Sequence, residues 1–566
     1  MESSVELIPE EATAATVSGA GAAAARAESA ARARTLDRAA LVALSLLFAC
    51  GLGLRLAGVS AVGFAEDEIN KLEAVRSYGR GDITPNAEHP MLMKTMIFVS
   101  LSAAHRWNAR GPSGAITNPL DVSDEAALRF PNILFGALTV VPLFLLTLSL
   151  FDRRTALVAA AFWAFGVNAI TYNRVAKEDT LLVFFMLLAF YFYIRAKRTS
   201  GYDAPLKRRF YTWSGASFGL MLASKYFPHY FGLNMLYHHF ARLRRKEPNE
   251  PAGHTPALFY VVLLLAFLVA NPAILLPETW HYINTYSSEQ LLTHHGYLFG
   301  ETLYANQVSS TPFGTPFYFY LLFLAIKLPL PVLAATVAGF FICARRWREP
   351  GAAFLLLMFL LWIVPYSIFG AKWLRYALSL MPFVYMLAAV GVAWLLCRVE
   401  GLKVRGGGGL LAPARVATAA VVLVFLALPA WSAISVRPHY AMYTNALGAH
   451  RAGYYFPHDE FYDDGLREAI RFVADRAPRG ATVAHETPGV VRHYLGRFER
   501  ADLDARVLSA SDFNVDAAPR PAYFIIQRGR TYFENRAKMD EVRARFTKVY
   551  EGTVAGVVAV EVYATQ

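Results

Sequence analysis

The chain has 566 residues, 55% of them hydrophobic and only 17% charged, with a mean hydropathy of +0.32 and a net charge of +12. That balance excludes an ordinary soluble domain and describes a polytopic membrane protein, with Tyr and Trp available for interface belts. The basic excess clusters beside hydrophobic spans, so it reads as an orientation signal and not as a nucleic-acid surface.

Residues 1–37 are rich in Ala, Glu and Arg and lack an apolar core, which predicts a disordered cytosolic tail and no cleavable signal peptide. Hydrophobic spans follow at about 39–58, 130–150, 155–172, 179–195, 210–224, 228–241, 257–276, 317–343, 352–369, 376–396 and 414–434. The apolar segment 92–104 is brief and suits an interfacial helix. With the N-terminus in the cytosol, the inside loops carry Arg153-Arg154, the basic run from Arg195 to Arg209, Arg242 to Lys246, Arg345-Arg346, and Arg398 to Arg405. The outside stretch from Pro277 to Gly314 contains no Lys or Arg. This is the positive-inside pattern, and it predicts an integral membrane protein with its N-terminus in the cytosol. An odd number of spans puts the C-terminal tail outside.

The fold expected is therefore a polytopic α-helical membrane domain over 38–435, with about 11 spans and outer loops at 59–129 and 277–316. A small extracytoplasmic α/β domain should follow over 436–566. Within it, helices are predicted over Leu466–Asp475 and Tyr532–Phe546, and strands over Ala522–Ile526, Thr547–Tyr550 and Val557–Tyr563. Cys50, Cys343 and Cys397 lie in or at the ends of hydrophobic runs with no CxxC pairing, and read as packing residues.

Polar residues near the outer ends of spans need a reason, because charge at membrane depth is costly. Glu66, Asp67 and Glu68 follow the first span, and Glu88, His89, Pro90 and Lys94 form a second polar knot. Arg174 and Asp179 fall at the junction of the third and fourth spans, Lys225 ends the fifth, and Lys372 and Arg375 open the tenth. A carboxylate among cations is what an enzyme needs to deprotonate an acceptor hydroxyl while holding a leaving phosphate. Each group also has a plainer reading. The acids suit a solvated helix start, Arg174 and Asp179 suit a structural pair, and the lysines suit snorkelling anchors. His294 and His295 with Glu301 offer metal-ligating atoms, but adjacent histidines diverge on most backbones, and a substrate-lining role for His295 is preferred.

Asp67-Glu68 followed by EHPMLMK (Glu88 to Lys94) resembles the acidic pair and HPPLGK-like segment of protein O-mannosyltransferases. Arg129-Phe130-Pro131, the segment NRVAKEDTLLVFF (Asn173 to Phe185), the run from His294 to Pro331 and HYAMYTNALG (His439 to Gly448) match further parts of that pattern in order. The chain thus resembles the GT-C class of lipid-phosphate-dependent glycosyltransferases, which includes bacterial aminoarabinose transferases. HPM stands where the family has HPP, Met93 replaces a glycine, and the outer tail looks like the α/β domain of bacterial relatives.

The resemblance implies an inverting transfer of a sugar from a polyprenyl-phosphate donor to a hydroxyl of a protein, lipid A or glycan. Asp67 would act as base and Glu68 would position substrate. Arg174, with Lys225 or Arg375, would neutralise the departing phosphate, while His89 and Lys94 would shape the donor pocket. No nucleotide-binding fingerprint is present, and a divalent cation is left open. The competing readings are a transporter or flippase for a lipid-linked envelope precursor, which should show internal repeats, and a non-catalytic scaffold.

Overall fold

The computed structural model describes residues 37–110, 120–226, 232–233, 255–288, 294–307, 314–405, 411–516, 518 and 521–565. Six helices among them are long and apolar enough to cross a membrane: Arg38–Leu56, Asp124–Leu150, Asp179–Arg198, Pro350–Ile368, Met381–Val399 and Val416–Ser435. Arg153–Phe165 and Val167–Asn173, bent by 55° at their break, make a seventh when taken as one span. Gly166 fills that break because a Cβ there would come within 2.1 Å of the Tyr385 hydroxyl.

The eleven expected spans are not all found as long apolar helices. The stretch 317–343 is two helices, Phe319–Lys327 and Leu330–Arg345, parted at Leu328 and Pro329. Proline offers no backbone donor and opens the second helix instead of continuing the first. The stretch 257–276 forms Ala257–Ala270, short for a crossing, and then a 3-10 turn. The stretch 210–224 lies in Ala204–Ser224, whose early turns carry Lys207, Arg208 and Arg209. The tail 1–36 and all of 228–241 except Gly232 and Leu233 lie outside the described residues. The segment 92–104 sits within the helix Met91–Asn108.

The C-terminal part contains a five-stranded sheet. A two-stranded antiparallel ribbon, β1 (Tyr297–Phe299) and β2 (Thr302–Tyr304), precedes it in the chain. The sheet comprises β3 (Thr482–His485), β4 (Asp504–Val507), β5 (Ala522–Gln527), β6 (Thr547–Val554) and β7 (Val557–Ala564), in the order β4-β3-β5-β7-β6. β3 runs parallel to both β4 and β5, whereas β7 is antiparallel to β5 and β6. The predicted helix 532–546 is the shorter Arg536–Arg545, and β3, β4 and the helix Pro488–Arg497 had no counterpart in the sequence reading.

The sheet unit is fastened to the helical body by polar contacts. Arg467 donates to the carbonyls of Ser60 (2.9 Å) and Ala61 (2.6 Å), and the Phe64 N–H donates to the Tyr494 hydroxyl at 2.6 Å. Arg497 pairs with buried Glu125 at 2.6 Å. Lys327 pairs with Glu460, both buried, and also donates to the carbonyls of Ala441 and Tyr443. These ties hold the loop 57–65 and the start of the helix Glu66–Tyr78 in place.

Candidate active site

Three acids occupy the first turn of the helix Glu66–Tyr78, where the positive end of the helix dipole favours them. They diverge. Asp67 faces a cluster of cations: Lys177 Nζ lies 2.7 Å from one carboxylate oxygen, and Arg375 Nη1 lies 3.2 Å from the other. The Tyr462 hydroxyl donates to that second oxygen at 2.8 Å. Burial alone would raise the Asp67 carboxyl, but Lys177, Arg375 and Lys71 together hold it well below the usual range. Its side chain keeps 30% exposure, so it is accessible while Lys177 is nearly closed off.

Glu68 turns the other way. Arg129 clasps it at 2.9 and 2.6 Å, and the N–H groups of Ala65 and Ala176 donate to it at 3.1 and 3.0 Å. Arg129 also reaches the carbonyls of Val59 and Val62, so this buried pair pins the 59–65 loop. Glu68 borders the cavity at Asp67, but its carboxylate is already fully partnered.

Arg174, Lys94 and Lys372 share this inward habit. Arg174 donates to the carbonyls of Arg55 (2.8 Å), Ala57 (2.7 Å) and Gly58 (3.0 Å), capping the end of the helix Arg38–Leu56, and lies 5.0 Å over the Tyr440 ring. It does not pair with Asp179. Lys94 donates to the carbonyls of Asn86 (2.5 Å) and His89 (2.9 Å) and so fixes the loop that carries His89. Lys372 binds the carbonyls of Thr315 (2.6 Å) and Phe369, joining two loops with no contact to Asp67. In all three, a basic side chain donates to backbone acceptors that burial would otherwise leave unsatisfied.

Asp179 pairs with Lys225 at 2.6 Å, and the Lys225 ammonium sits 4.7 Å over the Tyr376 ring. Lys225, His89 and Tyr376 line a mainly apolar cleft of about 920 Å3, together with Tyr286, Pro365 and Phe369. Burial drives the His89 imidazole down to about 3, so it is neutral at pH 7. A second, narrower cavity of about 80 Å3 lies on the other side of this partition, lined by Arg174, Lys177, Asp179, Arg375, Asp459 and Tyr462 among others. The Lys225–Asp179 pair and the neighbours Arg375 and Tyr376 therefore stand between the apolar cleft and this narrower cavity, whose lining residues Lys177, Arg375 and Tyr462 hold Asp67.

His295 lies elsewhere: its Nδ1 is 2.5 Å from Glu534, and His294 stacks on Tyr532 with ring centroids 4.6 Å apart. Glu301 pairs with Arg528 at 3.2 Å. The three thus have separate partners, and no group of three or more metal-ligating side chains occurs among the described residues. Sequence reading passed over Lys177, Tyr462 and the buried Lys71–Glu178 pair at 2.9 Å. Lys177 and Glu178 stand inside the NRVAKED segment already singled out, so the signal for them was present.

Residues 115–275 match the family model described as dolichyl-phosphate-mannose-protein mannosyltransferase. The chain resembles the GT-C glycosyltransferases. The matched stretch includes Arg129, Arg174, Lys177, Asp179 and Lys225, and excludes Asp67 and Arg375. Among solved structures, ArnT from Cupriavidus metallidurans bound to undecaprenyl phosphate is similar at 16% identity and a TM-score of 0.48, over 93% of this chain and 96% of that one. The archaeal oligosaccharyltransferase AglB from Archaeoglobus fulgidus, in complex with an inhibitory peptide and a dolichol-phosphate, is similar at 11% identity and a TM-score of 0.48, over 82% and 64% of the two chains. The S. cerevisiae protein O-mannosyltransferase Pmt1-Pmt2 complex bound to the sugar donor is similar at 16% identity and a TM-score of 0.32, over 48% and 40%. A search of curated proteins found no match.

Proposed function

We propose that this protein is a membrane glycosyltransferase that moves a sugar from a polyprenyl-phosphate donor to an acceptor hydroxyl on the outer face of the membrane. The observation that carries the reading is Asp67, an accessible carboxylate held ionised by Lys177 and Arg375 at a partition shared with a large apolar cleft. A lipid donor suits that cleft, because a polyprenyl tail can lie against Pro365, Tyr366 and Phe369 while its phosphate meets Lys225, with Arg375 next to it behind Tyr376. The positive-inside distribution supports a cytosolic N-terminus and an outer position for the sheet unit.

In the proposed step, the acceptor oxygen attacks the anomeric carbon from the face opposite the phosphate, with inversion. The bond from that carbon to the phosphate oxygen breaks, and the hydroxyl proton passes to Asp67. Lys225 and Arg375 take up the charge that grows on the leaving phosphate. His89, neutral and beside the cleft, serves as a hydrogen-bonding wall. Arg174, Lys94, Lys372 and Glu68 position loops and do not touch the reacting atoms. The acceptor remains one of three: a protein hydroxyl, lipid A or a surface glycan.

The test incubates purified protein with radiolabelled polyprenyl-phosphate sugars and membrane extract, and asks which fraction gains label. Transfer is expected from the wild type and lost, by about a hundredfold or more, in Asp67→Asn. An Asp67→Asn variant with wild-type rates would remove the base from this scheme.

A further inference from the structure

A second cleft, of about 590 Å3, opens between the helix Glu66–Tyr78 and the carboxyl ends of β3 and β4. Its size falls in the range of about 300–1,000 Å3 common to small-molecule sites. It lies at the point where the sheet's connections reverse: the chain leaves β3 to pair β4 on one side and then crosses to pair β5 on the other. Open α/β sheets bind ligands at such points, beyond the carboxyl ends of their strands.

Glu486, the residue after β3, lines this cleft. Its side chain is 2% exposed, and neither carboxylate oxygen makes a close hydrogen bond. Burial raises its carboxyl, an effect only partly offset by Asn535 and Ser509, whose side chains come within weak hydrogen-bonding reach, and by the charges of Arg530 and Lys538. The nearest nitrogen of His294 is 3.6 Å away and is itself unpartnered. Burial lowers that imidazole to about 4, so at pH 7 it supplies no positive charge. Buried polar groups are ordinarily satisfied, and a carboxyl left short of close partners in the wall of a cavity marks a place for a ligand's donors.

The lining selects the ligand. Glu66, Glu73, Glu486 and Glu534 against Arg492 repel phosphate, which separates this cleft from the one at Lys225. Glu66 is held by Arg530 at 2.7 Å and Glu534 by His295 at 2.5 Å, so the acids of the lining outside these pairs are Glu73 and Glu486, against Arg492. The other polar groups are hydroxyls and an amide, from Thr487, Ser509, Ser511 and Asn70. These suit a neutral ligand rich in hydroxyls. Glu66, Ile69, Asn70 and Glu73 line the cleft from the helix that presents Asp67 at its first turn, so cleft and base share one helix.

We propose that this cleft binds the carbohydrate portion of the acceptor, with Glu486 accepting hydrogen bonds from adjacent sugar hydroxyls. The proposal rests on the glycosyltransferase reading, and it selects a glycan-bearing acceptor over a bare protein hydroxyl.

The experiment titrates the full-length protein, in an amphipol without sugar headgroups, with maltotriose, chitotriose, fully deacetylated chitotriose and trilysine, reading binding by calorimetry and saturation-transfer NMR. At least one neutral trisaccharide is expected to bind, with affinity reduced tenfold or more by Glu486→Gln and abolished by Ser509→Trp, which fills the cleft. Asp67→Asn is expected to leave that binding intact while removing transfer. Binding confined to deacetylated chitotriose and trilysine would make this a cation site and overturn the proposal. So would no binding of any probe, or neutral binding indifferent to both cleft variants. Saccharide binding without any label transfer by the wild type would instead overturn the catalytic reading and leave the cleft assigned.

Discussion

Lys177 and Arg375 keep Asp67 ionised against the pull of burial, so each sets the acidity of the carboxyl. Replacing Lys177 with Met removes the nearer cation and raises the Asp67 pKa by about one to three units, the usual effect of one close opposite charge. The acid limb of kcat/KM is therefore expected to move to higher pH, measurable as a pH–rate profile. The sign for stability is the same in origin. Because the folded-state pKa is depressed, the ion pairs stabilise fully above the ordinary carboxylate range and are lost as pH falls through the lower folded value. The Lys71–Glu178 pair, 1% and 2% exposed, makes a second prediction. Lys71→Met alone leaves a buried carboxylate uncompensated and should cost about 3–5 kcal/mol, whereas Lys71→Met with Glu178→Leu should cost much less. Thermal unfolding followed by intrinsic fluorescence measures both. Sequence reading picked out Asp67, Arg375, Lys225 and Asp179, because charge beside a span needs a partner. It could not separate them from Arg174, Lys94 and Lys372, which look alike in sequence but turn toward backbone carbonyls. Side-chain direction is fixed by neighbours far away in the chain.

At the scale of the element, helix contacts through small residues set how closely the bundle closes. The helices Leu330–Arg345 and Met381–Arg405 meet at Gly339 and Gly391, where an added Cβ would lie 1.8 Å from the Leu387 carbonyl or 2.3 Å from that of Ala335. Such small-residue contacts let helices approach in lipid, where apolar area alone gives little drive. Gly339→Ala is expected to force them apart at about 1–3 kcal/mol, read as a lower unfolding temperature in detergent. The hydrophobic runs were legible because a bilayer demands long apolar segments, and seven of the expected positions coincide with long or bent candidate spans. The breaks were less so. Pro329 ended one helix inside a run that looked continuous, and Gly166 bent another where composition alone gave no warning. In the sheet, β5, β6 and β7 were anticipated over Ala522–Ile526, Thr547–Tyr550 and Val557–Tyr563, with β6 running four residues further than expected, whereas the four-residue β3 and β4, half of whose residues are polar, were missed.

Across the whole molecule, the sheet unit and the helical body close over the helix Glu66–Tyr78 together. Arg530 bridges them, bonding Glu66 at 2.7 Å and gripping Asp463, whose side chain is fully buried. Asp463 in turn accepts the Glu66 N–H at 3.0 Å. Arg530→Met leaves Asp463 alone in the interior, so about 3–5 kcal/mol of stability should be lost, with faster proteolysis between the two parts. Asp67 and Arg375, 308 positions apart, were expected to converge, but the Tyr462 contact to Asp67, 395 positions away, and the Arg530 bridge were not readable beforehand, because nothing in those segments marks a distant partner.

Arg375 touches the Asp67 carboxylate and borders the partition facing the apolar cleft, and a guanidinium cannot serve two anions at full strength. A lipid phosphate arriving beside it would draw it off, and the carboxylate left behind would hold a proton more readily. In the proposed scheme arming would then follow loading: without a lipid donor Asp67 stays a weak base, and water meeting it would find little help.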